Sequence, residues 1–193
     1  MPHLIRSGVF YFFYLSRNRL SDEYGRTPPH IAVSKGHEGV VKTLLGREDI
    51  NPNTDSGYGQ TPLSIAAGKG CEGVVKILLG RNDINADPAD KYGQTPLLIA
   101  ALEGHEGVVK MLLERGGVNL NATDDRGETI LFGAASSGCE GIVKLLLEQV
   151  GVNSDIANLA GETAHSRALK HGYHAIVKLL SEHKNTIPPL DGD

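Results

Sequence analysis

The feature that most constrains this chain is a pattern of residues that recurs every 34 positions. Two glycines, a threonine, a lysine and a leucine each return five times at that step, without an insertion. The sets are Gly25, Gly59, Gly93, Gly127, Gly161; Thr27, Thr61, Thr95, Thr129, Thr163; Gly36, Gly70, Gly104, Gly138, Gly172; Lys42, Lys76, Lys110, Lys144, Lys178; and Leu44, Leu78, Leu112, Leu146, Leu180. Such a chain folds as stacked copies of one small unit, because one unit cannot bury its apolar face alone.

Within a unit, the residue order predicts two short helices. Thr27 before Pro28 is typical of a helix start, where Thr caps free N–H groups and Pro needs no donor. Gly36 ends the first helix in a left-handed conformation, and Val41 and Leu44 share one face of a second helix. We predict helix pairs at 28–35 and 38–46, 62–69 and 72–80, 96–103 and 106–115, 130–137 and 140–149, and 164–171 and 174–183.

The second helices also predict a repeated ion pair. Glu38 lies four residues before Lys42, which is the favoured order for a pair on a helix surface. The same spacing recurs at Glu72–Lys76, Glu106–Lys110 and Glu140–Lys144. The lysines are expected to form a solvated face.

As a consensus, the unit reads G-x-T-P-L-x-x-A-A-x-x-G, followed by H/C-E-G-V-V-K-x-L-L. This pattern resembles the ankyrin repeat over about residues 23–184, and its loops are most similar to ankyrin arrays of filamentous fungi. The resemblance implies an all-α ankyrin-repeat solenoid of five helix-turn-helix units with finger loops. The units lie near 23–56, 57–90, 91–124, 125–158 and 159–184, with fingers around 53–58, 86–92, 120–126 and 154–160.

The two ends of the chain depart from the pattern. In the N-terminal segment 1–22, residues 8–16 echo Gly39-Val40-Val41 and predict a degenerate capping helix; a cleaved leader is the alternative. Ser181 replaces an apolar residue in the last unit, as a capping repeat with a wet outer face requires. Residues 185–193 contain two prolines and predict a disordered tail.

Composition excludes several classes of function. A net charge of −4 and a pI of about 6.1 argue against nucleic-acid binding. Two cysteines favour a reducing compartment, the cytoplasm or nucleus, over a disulfide scaffold. No stretch approaches the ~20 apolar residues of a membrane span. We expect a monomer.

Candidates for chemistry are few. One turn position alternates between His37, Cys71, His105 and Cys139, and packing between units explains it better than metal binding, because equivalent residues two units apart are too distant to share an ion. His165, His171 and His174 cluster in the last unit without an obvious fourth ligand. We therefore predict no catalytic residue, metal or cofactor.

Two further positions have structural interpretations. The resemblance implies that His30, three residues after Thr27, helps to lock the first helix start; the equivalents are Ser64, Leu98, Phe132 and Ser166. An asparagine recurs at 51, 85, 119 and 153, and Asn commonly hydrogen-bonds its own loop.

The resemblance also implies that a partner binds the concave face, which is built from fingertips and first helices. Two ladders occupy it: Tyr24, Tyr58, Tyr92 and Arg126 at the tips, and Ile31, Ile65 and Ile99 on the helices. Alternatively, the isoleucines are simply core, and repeat copying kept the tyrosines. The predicted function is a non-catalytic module that binds another protein; the alternative is a regulatory or sensing ankyrin fragment of a larger signalling protein.

Overall fold

The computed structural model describes residues 21–186, with side chains to His183; the predicted capping helix at 8–16 and tail residues 187–193 lie outside this range. The helices form five pairs, here called units one to five. They are α1 Pro28–Ser34, α2 Glu38–Leu45, α3 Pro62–Gly68, α4 Glu72–Leu79, α5 Pro96–Leu102, α6 Glu106–Arg115, α7 Ile130–Ser137, α8 Glu140–Leu147, α9 Ala164–His171 and α10 His174–Thr186.

The predicted helix ends agree with the observed ones to within two residues, with one exception. Helix α10 runs to Thr186, three residues past its predicted end at 183. From Tyr173 onward the sequence contains no Gly or Pro until Pro188, so nothing stops the helix earlier.

Threonine caps four of the five first helices. Its hydroxyl accepts a hydrogen bond from the backbone N–H three residues on, at 3.1–3.3 Å. The four caps are Thr61, Thr95, Thr129 and Thr163. In unit one a histidine takes part: the Thr27 hydroxyl lies 2.7 Å from Nδ1 of His30.

The units stack in register, as the period predicts. Each first helix contacts the first helix of the next unit, and each second helix contacts the next second helix. A continuous core of Leu, Val, Ile and Ala runs between the two layers. Within residues 21–186 the only β-type pairing outside helices is one isolated bridge, Thr123 to Thr129, so the all-α prediction is confirmed. No helix among these residues is long and apolar enough to span a membrane.

The predicted Glu–Lys pairs form in only one of four units. Glu140 and Lys144 approach to 2.6 Å. The carboxylates of Glu38, Glu72 and Glu106 instead lie against the glycine at the second position of the next unit's second helix. Those glycines are Gly73, Gly107 and Gly141. A carboxylate is favourable at a helix N-terminus. Ala175 occupies the equivalent position after Glu140, and its Cβ removes that space, which explains the exception.

Asparagines close and connect the loops that follow the second helices. The predicted set at 51, 85, 119 and 153 accepts the backbone N–H two residues on, at 2.9–3.1 Å. The residue two positions after such an asparagine forms hydrogen bonds with the loop of the next unit. Asn53 accepts the N–H of Asn85 and donates its amide to the carbonyl of Asp83; Asn121 repeats this with Asn153 and Gly151.

Asp87 interrupts this bridge. Its Oδ2 accepts the N–H of Asn119, but its buried Oδ1 has no hydrogen-bond partner among the described residues. Asn53 and Asn121 occupy the equivalent positions, 34 residues before and after Asp87, and each donates its side-chain amide to a backbone carbonyl. The equivalent carbonyl for Asp87 is that of Gly117, so Oδ1 takes the place of the donating amide. A carboxylate cannot donate to a carbonyl.

Replacing Asp87 with Asn should therefore raise the free energy of unfolding by about 1 kcal/mol, the usual contribution of one hydrogen bond. Urea unfolding followed by circular dichroism measures the change. The reciprocal variant Asn121→Asp should lose a similar amount, since it removes the amide from an intact bridge. If both variants shift the midpoint in the same direction, the bridge does not explain their stability.

His30 is fully buried at the start of unit one. Its Nδ1 accepts the N–H of Thr27 at 3.1 Å, so Nε2 carries the proton and donates it to the carbonyl of Gln60 at 2.8 Å. The ring therefore locks the helix start, as the family resemblance implied, and also ties unit one to unit two. Burial lowers the pKa of His30 below its usual value.

This burial makes stability depend on pH. Below about pH 6.5 the unfolded chain binds a proton at His30 more readily than the folded chain does, because burial lowers the pKa of His30 in the folded state. Stability should thus fall as pH falls, by at most about 1.4 kcal/mol per pH unit. The measurement is the urea midpoint at several pH values between 7.5 and 5.5, read in wild type and in His30→Leu, which copies buried Leu98 of unit three. Equal pH slopes in the two proteins would rule out His30 as the cause.

Candidate partner-binding face

Each fingertip is a tight turn held by its own side chain. An Asp, Ser or Asn at the base of the finger accepts the N–H two residues on, at 2.9–3.3 Å, and so holds the tip residue in place. The five base residues are Asp22, Ser56, Asp90, Asp124 and Asn158, and their tip residues are Tyr24, Tyr58, Tyr92, Arg126 and Ala160.

The fingertips are also joined to one another. The carbonyl of Tyr24 accepts the N–H of Gly57 at 2.8 Å. The same bond joins Tyr58 to Lys91 at 3.2 Å, Tyr92 to Asp125 at 2.9 Å, and Arg126 to Leu159 at 2.9 Å. Because each of the first four tips is bonded to the next finger, the tip residues form one continuous line along the array.

The tyrosines project from this line into solvent. Tyr24, Tyr58 and Tyr92 keep 48%, 52% and 50% of their surface exposed, which places them among the most exposed large apolar residues of the described chain. Tyr24 is further held by the guanidinium of Arg26, 5.1 Å from its ring centre, and Arg26 is in turn paired with Asp22 at 2.7 Å. Half-exposed rings on a hydrogen-bonded frame are suited to binding, because little freedom is lost on contact.

Arg126 continues the same line in unit four. It is exposed, and its guanidinium forms no ion pair within residues 21–183. Beside it, burial and, to a smaller extent, the negative charge of Asp124 raise the pKa of the Glu128 carboxyl, while the positive charge of Arg126 opposes this shift. The tip line thus changes from aromatic to cationic between units three and four.

The isoleucines lie deeper than the tyrosines. Ile31, Ile65 and Ile99 are half-buried, so they contribute both to packing and to the accessible face. Ile99 leans onto the preceding unit, where its Cγ2 occupies the space that a Cβ on Gly68 would need. Part of each isoleucine side chain therefore packs within the array, and the part that stays exposed is what the predicted contact surface would use.

The face has a different character in units four and five. Gly133 takes the isoleucine position in unit four, and Leu102 packs over it from unit three. In unit five Arg167 lies 5.1 Å from the ring centre of Phe132, and is paired with Glu162 at 3.3 Å. The predictions from sequence do not include this cluster, although the change from Ile to Arg at this position of the repeat indicates that the surface differs there.

Two of the alternating turn residues, His105 and Cys139, pack onto glycines of the preceding unit. His105 lies over Gly70 of the preceding unit and contacts the carbonyl of Gly68 at 3.2 Å; the thiol of Cys139 lies over Gly104 in the same way. In the last unit, Nε2 of His165 lies 3.1 Å from the hydroxyl of Ser181. Among the described residues, no group of three His, Cys, Asp or Glu side chains could hold a metal ion.

This architecture defines a repeat solenoid, in which similar helix pairs stack along one axis and expose a ridged, continuous face. A family model described as ankyrin repeats in three copies matches residues 47–124 and 116–189, and a single-repeat ankyrin model matches 24–55. The chain belongs to the ankyrin-repeat family, whose members are generally protein-interaction modules and typically not enzymes. A search of the curated proteins finds no significant match.

Proposed function

We propose that this array is a non-catalytic module that binds a partner protein across the fingertips and first helices of units one to three. The observation that carries the proposal is the line of three half-exposed tyrosines on one hydrogen-bonded frame. Ile31, Ile65 and Ile99 form the floor beside them, and Arg126 marks the end of the aromatic part. Tyrosines at such positions are common anchors, since each buries apolar area while its hydroxyl stays hydrated.

The cellular setting is part of the same proposal. Cys71 and Cys139 are free, half-buried thiols, which suits a reducing compartment such as the cytoplasm or nucleus. The array acts as a monomer, and its partner is a protein rather than a nucleic acid, consistent with the net charge of −4.

The test is the triple variant Tyr24→Ala, Tyr58→Ala, Tyr92→Ala. Partners captured by the wild-type array, identified by mass spectrometry, should bind this variant at least about tenfold more weakly, because anchor side chains cost more than 1 kcal/mol each when truncated. Binding constants are measured by calorimetry with the purified partner.

A matched control replaces Lys76 and Lys110 with Ala on the second-helix face, where both are exposed. This control should bind normally, and circular dichroism should show both variants folded. Loss of binding in the lysine variant with normal binding in the tyrosine variant would place the partner on the opposite face.

A further inference from the structure

The spacing of the tip line restricts the shape of what it binds. Neighbouring units in a helical stack lie about 8–10 Å apart, so the ladder from Tyr24 to Arg126 advances by that step three times. A polyproline II segment rises about 3.1 Å per residue with three residues per turn, so it repeats every ~9 Å. Its side chains at every third residue then point the same way, whereas in a β-strand they alternate between two faces.

The surface chemistry fits the same shape. Rows of aromatic rings bind polyproline II segments well, because the segment is already extended and loses little entropy. The three tyrosines supply such a row, and the backbone carbonyl of each accepts a hydrogen bond from an N–H of the next finger, which holds the residue in place. Their rings are half exposed, and the isoleucines on the first helices of the same three units are half-buried.

Charge distinguishes the two ends of the row. At the unit-one end, Arg26 is already neutralised by Asp22 at 2.7 Å. The guanidinium of Arg167, in unit five, is paired with Glu162 and lies over the ring of Phe132. Arg126 is exposed, and its charge acts on the nearby Glu128 carboxyl without forming an ion pair in the part of the chain that the structure describes. Its guanidinium is therefore available to an incoming anion.

We propose that the partner presents a linear polyproline II segment, with three apolar side chains spaced three residues apart on Tyr24, Tyr58 and Tyr92. A carboxylate three residues beyond one end of that series pairs with Arg126. This inference rests on the proposed function, and it specifies the partner as an apolar segment with an acidic residue at one end. About ten residues suffice to span the four fingertips.

The experiment selects binding peptides on the full-length chain from a phage-displayed library of random peptides of about 16 residues, longer than the span requires. Wild type should enrich Pro, Leu or other apolar residues at positions i, i+3 and i+6, with Asp or Glu three residues beyond one end. Selection on Arg126→Glu should exchange that acidic residue for Lys or Arg. The wild-type peptide should bind Arg126→Glu about tenfold more weakly by fluorescence anisotropy.

The control Lys110→Glu makes the same charge change on the second-helix face and should leave the affinity unchanged. Four results would overturn the inference: no enriched peptide, apolar residues spaced by seven as in a helix, no acidic position, or an acidic position that Arg126→Glu does not alter. Each leaves the proposed function standing if the captured protein partner is still lost from the triple tyrosine variant. If that partner is retained, the proposed function fails as well.

Discussion

Replacing Leu112 with Ala should lower the free energy of unfolding by about 2–5 kcal/mol, the usual cost of truncating a fully buried leucine. Leu112 lies in α6 of the middle unit and has no exposed surface. Its equivalents Leu78 and Leu146 belong to the neighbouring second helices, so the cavity weakens stacking on both sides. In a solenoid, stability depends on the interfaces between neighbouring units, so a cavity in the middle unit weakens the coupling between the two halves of the array.

The measurement is urea unfolding monitored by circular dichroism, with the midpoint and slope fitted for each variant. The matched control is Leu113→Ala, one residue later on the same helix, where the side chain is only half-buried. Leu113→Ala should shift the midpoint much less. If the two shifts are equal, burial at the unit interface is not what makes Leu112 important.

Much of this fold can be predicted from the sequence because the same pattern of residues is repeated five times. The 34-residue period aligns Leu112 with Leu78 and Leu146, and it predicts which residues are buried between units. It also predicted that Tyr24, Tyr58 and Tyr92 would lie in one line, because equivalent positions in a stack lie one above another.

What the sequence did not predict are contacts that depend on how far one unit is offset from the next. The Glu38–Lys42 spacing is correct for a helical pair, yet the carboxylate reaches Gly73 of the following unit instead. The energy of an exposed pair on a helix is only about 0.3–0.5 kcal/mol, and a carboxylate at a helix N-terminus gains a similar or larger amount, about 0.3–1 kcal/mol, so it can replace the pair. Similarly, Arg167 lies against Phe132 of the preceding unit, and that choice depends on the side chains at both positions.

The fingertips are another region that the sequence predicts only in part. A glycine follows each tip residue, which predicts a turn, but the sequence does not show how closely the next finger approaches. Gly59 has a φ of +77°, and a Cβ there would lie 2.9 Å from the backbone N of Lys91 and 3.2 Å from Cα of Asp90. Both atoms belong to the backbone of the next finger, so they cannot turn aside as a flexible side chain would.

Gly59→Ala should therefore be the more severe of two substitutions that look identical in sequence. Gly161 has the same register and the same φ of +77°, but a Cβ there would meet no heavy atom of the described chain within 4 Å. Gly161→Ala should cost about 1–2 kcal/mol, the penalty of a left-handed residue that is not glycine. Gly59→Ala adds the displacement of the neighbouring finger and should cost about 2–5 kcal/mol in total.

The finger displaced by Gly59→Ala carries Tyr92, so this variant should also weaken partner binding, whereas Gly161→Ala, beyond Arg126, should bind normally. Urea unfolding measures the first difference, and calorimetry with the purified partner measures the second at a temperature where both variants are folded. Equal destabilisation would mean that the fingers separate freely and do not hold the tyrosines in line. The rigid line of tips, on which the proposed binding face depends, would then be wrong.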